Sequence, residues 1–244
     1  MTAPDRGRRL RASIRDRLPV HRRNHPSYSK AIDMTLPTKP QPVGPDYRQL
    51  LDEVRRVANS GRTRDLQWRL EQLTGIERLC TEREREIAAA LAKDLGRSPV
   101  EAWLGDINAT KTEASYARKH LKKWMRRKRV SLPLSQLPGR GWVQYDPLGV
   151  VLVIGPWNYP LYLTLGPLVA AVAAGNCAVI KPSELAPATS ALLARLVPEY
   201  LDAKAVRVVE GDGETTQDLL CQGFDHALFT GGTEIGKKIM STAA

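Results

Sequence analysis

The sequence predicts an α/β protein in which a run of helices precedes a doubly wound parallel sheet. Three observations carry this expectation. After residue 148 the chain alternates short apolar, β-branched runs with helical segments four times in succession. Those runs ("GVVLVIGP", "CAVIKPS", "AVRVVEG", "HALFTG") show no polar alternation, as strands covered on both faces require. Before residue 130, apolar residues recur instead at three- and four-residue steps, the period of amphipathic helices. Strand–helix units in series build a doubly wound sheet.

The elements follow in order. Residues 1–45 are rich in Arg, Pro and Ser without a sustained apolar period, and are expected to form a disordered basic arm. Met34 opens a less basic stretch and is an alternative start. Residues 46–130 read as the helical region. Leu50, Val54 and Val57 share one face, followed by Leu70, Leu73, Ile76 and Leu79, then Ile87, Leu91 and Leu95, with Gly96 as a stop. A long helix is expected over residues 99–128, with Trp103, Ile107, Thr110, Ala114, Ala117 and Leu121 on one face. "WVQYDPLGV" alternates like a hairpin turning at Asp146 and Pro147. Residues 142–244 form the sheet region, with a strand over residues 226–229 and a last helix starting at Thr233.

Composition narrows the function classes. A chain of 244 residues with ordinary apolar content holds one large domain or two smaller ones. The longest apolar run, residues 160–174, is too short and interrupted to span a bilayer. No apolar stretch follows the N-terminal arginines, so no signal peptide is expected. The three cysteines (Cys80, Cys177, Cys221) form no C-x-x-C pair, which points to reduced thiols and a cytoplasmic location. The four histidines make no metal-ligand cluster. The net charge of +11 is concentrated in residues 1–33 and in "ARKHLKKWMRRKR" (residues 117–129). The second run reads as a solvated helix face, and only Trp124 interrupts it, so nucleic acid is not the expected partner.

Ligands of doubly wound sheets sit at the carboxyl ends of the strands. The first strand ends in "GPWNYP", where Asn158 can offer an amide N–H to a developing oxyanion or can satisfy local backbone groups. The second ends in "KPSE". Lys181 closes an apolar strand and needs a partner there, a nucleotide ribose or phosphate being one, and Glu184 can take ribose hydroxyls. Equally, Ser183 and Glu184 suit a helix start. The third is followed by a flexible "EGDGE" turn. The fourth ends in "FTGGTEIG", where Gly231 and Gly232 permit close backbone approach ahead of a helix N-terminus able to bind phosphate.

Together these loops resemble those of one family. The run "PLGVVLVIGPWNYPLYLTLGPLVAAVAAGNCAVIKPSELAPATS…FDHALFTGGTEIGKKIM" is similar to the aldehyde dehydrogenases, and "WLGDINATKTEASYARKHLKKWM" resembles their class 3 branch. The resemblance begins at Tyr47 and implies a Rossmann-like cofactor domain. It also implies NAD- or NADP-dependent oxidation of an aldehyde to a carboxylic acid. In that family a cysteine thiolate attacks the aldehyde, hydride passes to the nicotinamide, and a glutamate activates the hydrolytic water. Carried over by position, Asn158 matches the oxyanion asparagine, Lys181 and Glu184 the adenosine-ribose contacts, and Gly231 and Gly232 the pyrophosphate turn. Ile235 matches the residue beside the adenine, and Trp157 belongs to the loop shaping the cleft. Many relatives carry Ser where Gly232 stands.

The family's E-L-G-G-K segment and its glycine- and glutamine-flanked cysteine loop do not occur in this sequence. The resemblance therefore implies a truncated form, matching the N-terminal half, without nucleophile or base. The three cysteines read as buried and structural. Such a chain is expected to bind cofactor without turnover. It is expected to associate as a homodimer or with a full-length homologue. The competing reading is a non-catalytic nucleotide-binding or interaction module.

Overall fold

The computed structural model describes residues 46–244. The expected basic arm, residues 1–45, lies outside the described residues. The chain opens with α1 (Tyr47–Asn59), α2 (Leu66–Glu82) and α3 (Glu84–Leu95). Asp46 and Asp65 cap α1 and α2, each accepting a backbone N–H three residues on. Gly96 ends α3 with φ 66°, the left-handed stop expected from the sequence.

The expected long helix is broken. A capping box at Ser98 and Glu101 starts α4 (Pro99–Ala102), a π-helical turn follows (Trp103–Ile107), and α5 (Asn108–Trp124) continues. The extra residue of the π turn advances the helical phase. Ile107, Thr110, Ala114, Ala117 and Leu121 are buried as expected, but Trp103 is exposed, and Ala102 and Asp106 take the inward positions upstream. The basic run is divided as well. Its first part lies on α5, where Arg118 pairs with Glu77 at 2.6 Å. Its last part enters β1 (Lys128–Val130), which pairs antiparallel with β2 (Gly141–Val143). Thus the hairpin partner of Trp142 lies upstream, and Asp146 and Pro147 do not turn a hairpin. Alternation alone gave the strand without its partner.

Four parallel strands follow: β3 (Val150–Ile154), β4 (Cys177–Lys181), β5 (Val206–Val208) and β6 (His226–Phe229), in the order β5-β4-β3-β6. Every residue of β3 and β4 is buried, which explains their unbroken apolar runs. The crossovers are α6 (Tyr162–Ala173), α7 (Pro187–Tyr200) and α8 (Gly213–Leu220), and α9 (Thr233–Ala243) follows β6. The chain winds outward from β3 to β5, then returns to the other side of β3, so the switch point lies between β3 and β6. α6 packs on β3 and β4 and is backed by α2 and α5; α3 covers α7.

α6 has no charged residue and no side-chain cap of its own. Its ends are held by α2 and the π turn. At its N-terminus, Asp106 Oδ1 accepts the N–H groups of Leu161 (3.1 Å) and Tyr162 (2.9 Å). At its C-terminus, the buried Arg69 donates to the carbonyl of Ala173 (3.2 Å) and to that of Thr63 (3.0 Å). Gly175, at φ 86°, leaves the space that this guanidinium fills. α7 is capped similarly, with Asp94 accepting from Ala188 (2.9 Å) and Thr189 (2.7 Å). Ser183, a candidate cap in the sequence, instead accepts the N–H of Leu185 ahead of the helix.

Asp212 caps α8 locally, accepting from Glu214 (3.0 Å) and Thr215 (3.1 Å). The Thr215 N–H, followed by that of Glu214, holds its carboxyl below the usual carboxylate range. A carboxyl depressed on folding stabilises the fold fully above the unfolded value, about 3.9. That contribution fades as the pH falls through the lower folded value. Asp212→Asn, which keeps an acceptor but cannot titrate, is expected to make the acid limb of a urea-midpoint-versus-pH curve shallower. An unchanged acid limb would contradict this.

Candidate functional site

The sheet register brings the strand-end loops together. Ile154 lies opposite both Lys181 and Phe229, so β3, β4 and β6 terminate in one row. The loops 155–160, 182–186 and 230–232 therefore leave the sheet side by side at the switch point.

In the first loop, Gly155 is required by close approach: a Cβ there would lie 2.0 Å from Thr164 Oγ1 of α6. Trp157 and Asn158 stand exposed beyond it. Among the described residues the Asn158 side chain makes no hydrogen bond, so it does not satisfy local backbone groups. The Asn158 backbone carbonyl accepts from Arg97 Nη2, while Arg97 Nη1 pairs with Asp106 and the guanidinium lies 4.3 Å from the Tyr159 ring centroid. Asp106 is fully buried, and burial raises its carboxyl above the usual range against the pull of the Tyr162 N–H and Arg97.

In the second loop, Lys181 is 3% exposed, and its ammonium pairs with Glu184 at 2.7 Å. That pair answers the cost of a charge at the end of an apolar strand. Glu184 is exposed and carries the pair to the protein surface. In the turn after β5, Glu210 accepts from Ser190 Oγ at 3.0 Å.

In the third loop, Gly231 packs under the Phe229 ring, where a Cβ would meet Cζ at 2.3 Å. Gly232 is the N-cap of α9, with open space around it and no side-chain cap. Carboxylates close the N-termini of α6, α7 and α8, but α9 starts with free N–H groups, the arrangement that binds anions. Ile235 stands exposed on its first turn.

The structure thus places Trp157, Asn158, Lys181, Glu184, Gly231, Gly232 and Ile235 at one end of the sheet. Of these, only Lys181 and Glu184 touch through a hydrogen bond. Two surface cavities of about 510 and 540 Å³ lie elsewhere, one beside Arg56 and Arg207, the other between α5 and α6. Neither includes a strand-end residue. Sequence reading missed Arg97, Asp106, Arg69 and Asp94, whose partners lie far along the chain. A carboxylate inside an otherwise apolar helical face, as at Asp106, was the one available signal.

The geometry is that of a doubly wound α/β domain whose strand-end loops meet at the switch point. The aldehyde dehydrogenase family model matches residues 33–244, and the chain belongs to that family. It is 44% identical over 201 residues to aldehyde dehydrogenase family 3 member I1, chloroplastic, of Arabidopsis thaliana. That match covers 82% of this chain and 36% of the relative. Among solved structures, it matches a substrate-bound AldH of Staphylococcus aureus with TM-score 0.78 and 39% identity, over 80% of this chain and 43% of that one. An indole-3-acetaldehyde dehydrogenase of P. syringae, AldA, in complex with NAD+ and IAA, matches with TM-score 0.72 and 28% identity, over 81% and 40%. The chain therefore spans about two-fifths of the length of these relatives.

The cysteines divide. Burial pushes the thiols of Cys80 and Cys177 up to about 12, which makes them inert as nucleophiles. Cys221, expected to be buried, is exposed as the C-cap of α8, because the helix ends there and turns its last residue outward. A thiol-specific disulfide reagent at pH 8 is expected to label only Cys221 in the native protein and all three cysteines in denaturant. Rapid native labelling of Cys80 or Cys177 would contradict the burial argument.

Proposed function

We propose that residues 46–244 form the dinucleotide-holding region of an NAD- or NADP-dependent aldehyde dehydrogenase, which oxidises an aldehyde to a carboxylic acid. The bound cofactor would supply hydride acceptance. Lys181 and Glu184 would hold the adenosine ribose, the ammonium donating and the carboxylate accepting. Gly231, Gly232 and the free N–H groups of α9 would receive the pyrophosphate. Ile235 would pack beside the adenine and Trp157 would wall the cleft. Asn158 would donate its amide to the developing oxyanion. The observation that carries this reading is the open N-terminus of α9 at the same end of the sheet as the Lys181–Glu184 pair, with β3 between them, in a family member whose crossover helices are capped.

This reading assigns neither the nucleophile nor the base to these 244 residues. Cys80 and Cys177 are buried beneath helices and sheet, Cys221 lies on α8, and no E-L-G-G-K segment occurs. These residues are proposed to bind dinucleotide without oxidising aldehyde. The unpaired thiols support a reducing, cytoplasm-like compartment. A homodimer, or association with a full-length homologue, is supported by the exposed Leu134, Trp142 and Val143 around the β1–β2 hairpin. Sedimentation velocity is expected to show a dimer, and a monomer at every concentration would remove that assembly.

Thermal unfolding titrated with NAD and with NADP tests the main reading. A ligand bound only by the folded state stabilises it by about 2.7 kcal/mol at a hundredfold excess over Kd. A saturable rise in Tm, weakened in Lys181→Ala, is expected with at least one dinucleotide. No rise with either would overturn the proposal. Aldehyde-dependent NADH production that tracked protein concentration and vanished in Asn158→Ala would overturn the absence of turnover.

A further inference from the structure

An oxyanion donor must be held in one place, yet Asn158 sits on an exposed loop and its side chain is unbonded. The loop is instead anchored through its backbone, and the anchors converge on one side chain from the helical region. Arg97 lies between α3 and α4, and its side chain is 15% exposed. One arm of its guanidinium fork pairs with Asp106, the other donates to the Asn158 carbonyl, and its plane covers the Tyr159 ring. The second oxygen of Asp106 holds the N–H groups of Leu161 and Tyr162, the residues that leave the loop. At the other end, Gly155 is seated on Thr164. Gly105, in the π turn, faces the Tyr159 ring so closely that a Cβ would lie 2.8 Å from it.

We propose that Arg97 is the positioning residue of the strand-end loop. It fixes the Asn158 backbone through the fork it shares with Asp106 and leaves the Asn158 amide free for a reacting oxygen. The inference rests on the role given to Asn158 above. The competing account is that Arg97 merely neutralises a buried carboxylate, which any cation would do. The two differ in what lysine can replace. An ammonium keeps the charge against Asp106, but as a point donor it lacks a second directed arm for the Asn158 carbonyl.

The test is ¹⁹F NMR of the 244-residue protein labelled with 5-fluorotryptophan, with the Trp157 resonance assigned by its loss in Trp157→Phe. Spectra and Tm are recorded without dinucleotide for wild type, Arg97→Ala and Arg97→Lys. The wild type is expected to give one narrow Trp157 line. Arg97→Lys is expected to recover most of the Tm lost in Arg97→Ala, while its Trp157 line stays broadened or split. A narrow, wild-type Trp157 line in Arg97→Lys would overturn the proposal and leave Arg97 a charge partner only. If Arg97→Ala does not fold, the lysine variant decides alone. Because the loop is read in the ligand-free protein, its outcome is separate from that of the dinucleotide titration. Absence of cofactor binding would remove the functional reading while leaving the loop result intact.

Discussion

The structure depends on one wholly uncharged helix whose two ends are held by opposite buried charges from elsewhere in the chain. α6 lies under the sheet between β3 and β4, and its sequence offers nothing to satisfy its terminal backbone groups. Asp106 meets the positive end of its dipole and Arg69 the negative end. Isolated burial of either charge would be costly. Here each faces backbone groups that would otherwise be orphaned, so two liabilities cancel. The helical region and the sheet are consequently not independent layers. The first supplies the ends of the second's central helix, and with them the direction in which the loop 155–160 leaves β3.

The same logic sorts the helix termini along the sheet. Asp106, Asp94 and Asp212 occupy the N-termini of α6, α7 and α8. Those ends are already supplied with negative charge and have little to offer another anion. α9, led by Gly232, is the end that stays open, and it leaves the strand beside the switch point. Among the helices that follow the four parallel strands, the chain's own carboxylates thus leave only the first N–H groups of α9 without a side-chain cap.

Much of the sheet was legible in the sequence. β3 and β4 are buried on both faces and so read as unbroken apolar runs; β6, an edge strand with exposed and half-buried residues, and the start of α9 still occur where the apolar run and the glycine turn place them. Lys181 was legible as a charge needing a partner, and its partner is Glu184, three residues away. What failed depended on distance. Nothing in the sequence singles out Arg69, and only the apolar face around it marks Asp106, since their partners lie 104 and 55 residues further along. The hairpin was misplaced because alternation identifies a strand's faces but not its neighbour. Trp103 was assigned to the buried face by a 3.6-residue period that the π turn interrupts. Cys221 was read as buried from its residue type, which says nothing of where its helix ends.

That interruption governs how this chain can vary. The π turn is a single added residue, and its only lasting effect is angular: everything before it is rotated by about 100° relative to an unbroken helix. Asp106 sits inside it. Losing one residue between Trp103 and Ile107 would leave a straighter and locally stronger helix, with its carboxylate swung toward solvent and the end of α6 bare. Length in this segment is therefore constrained as strictly as the identity of Asp106. Within it Gly105 and Asp106 are fixed by identity too, which leaves the exposed Trp103 and Leu104 as the positions free to exchange side chains.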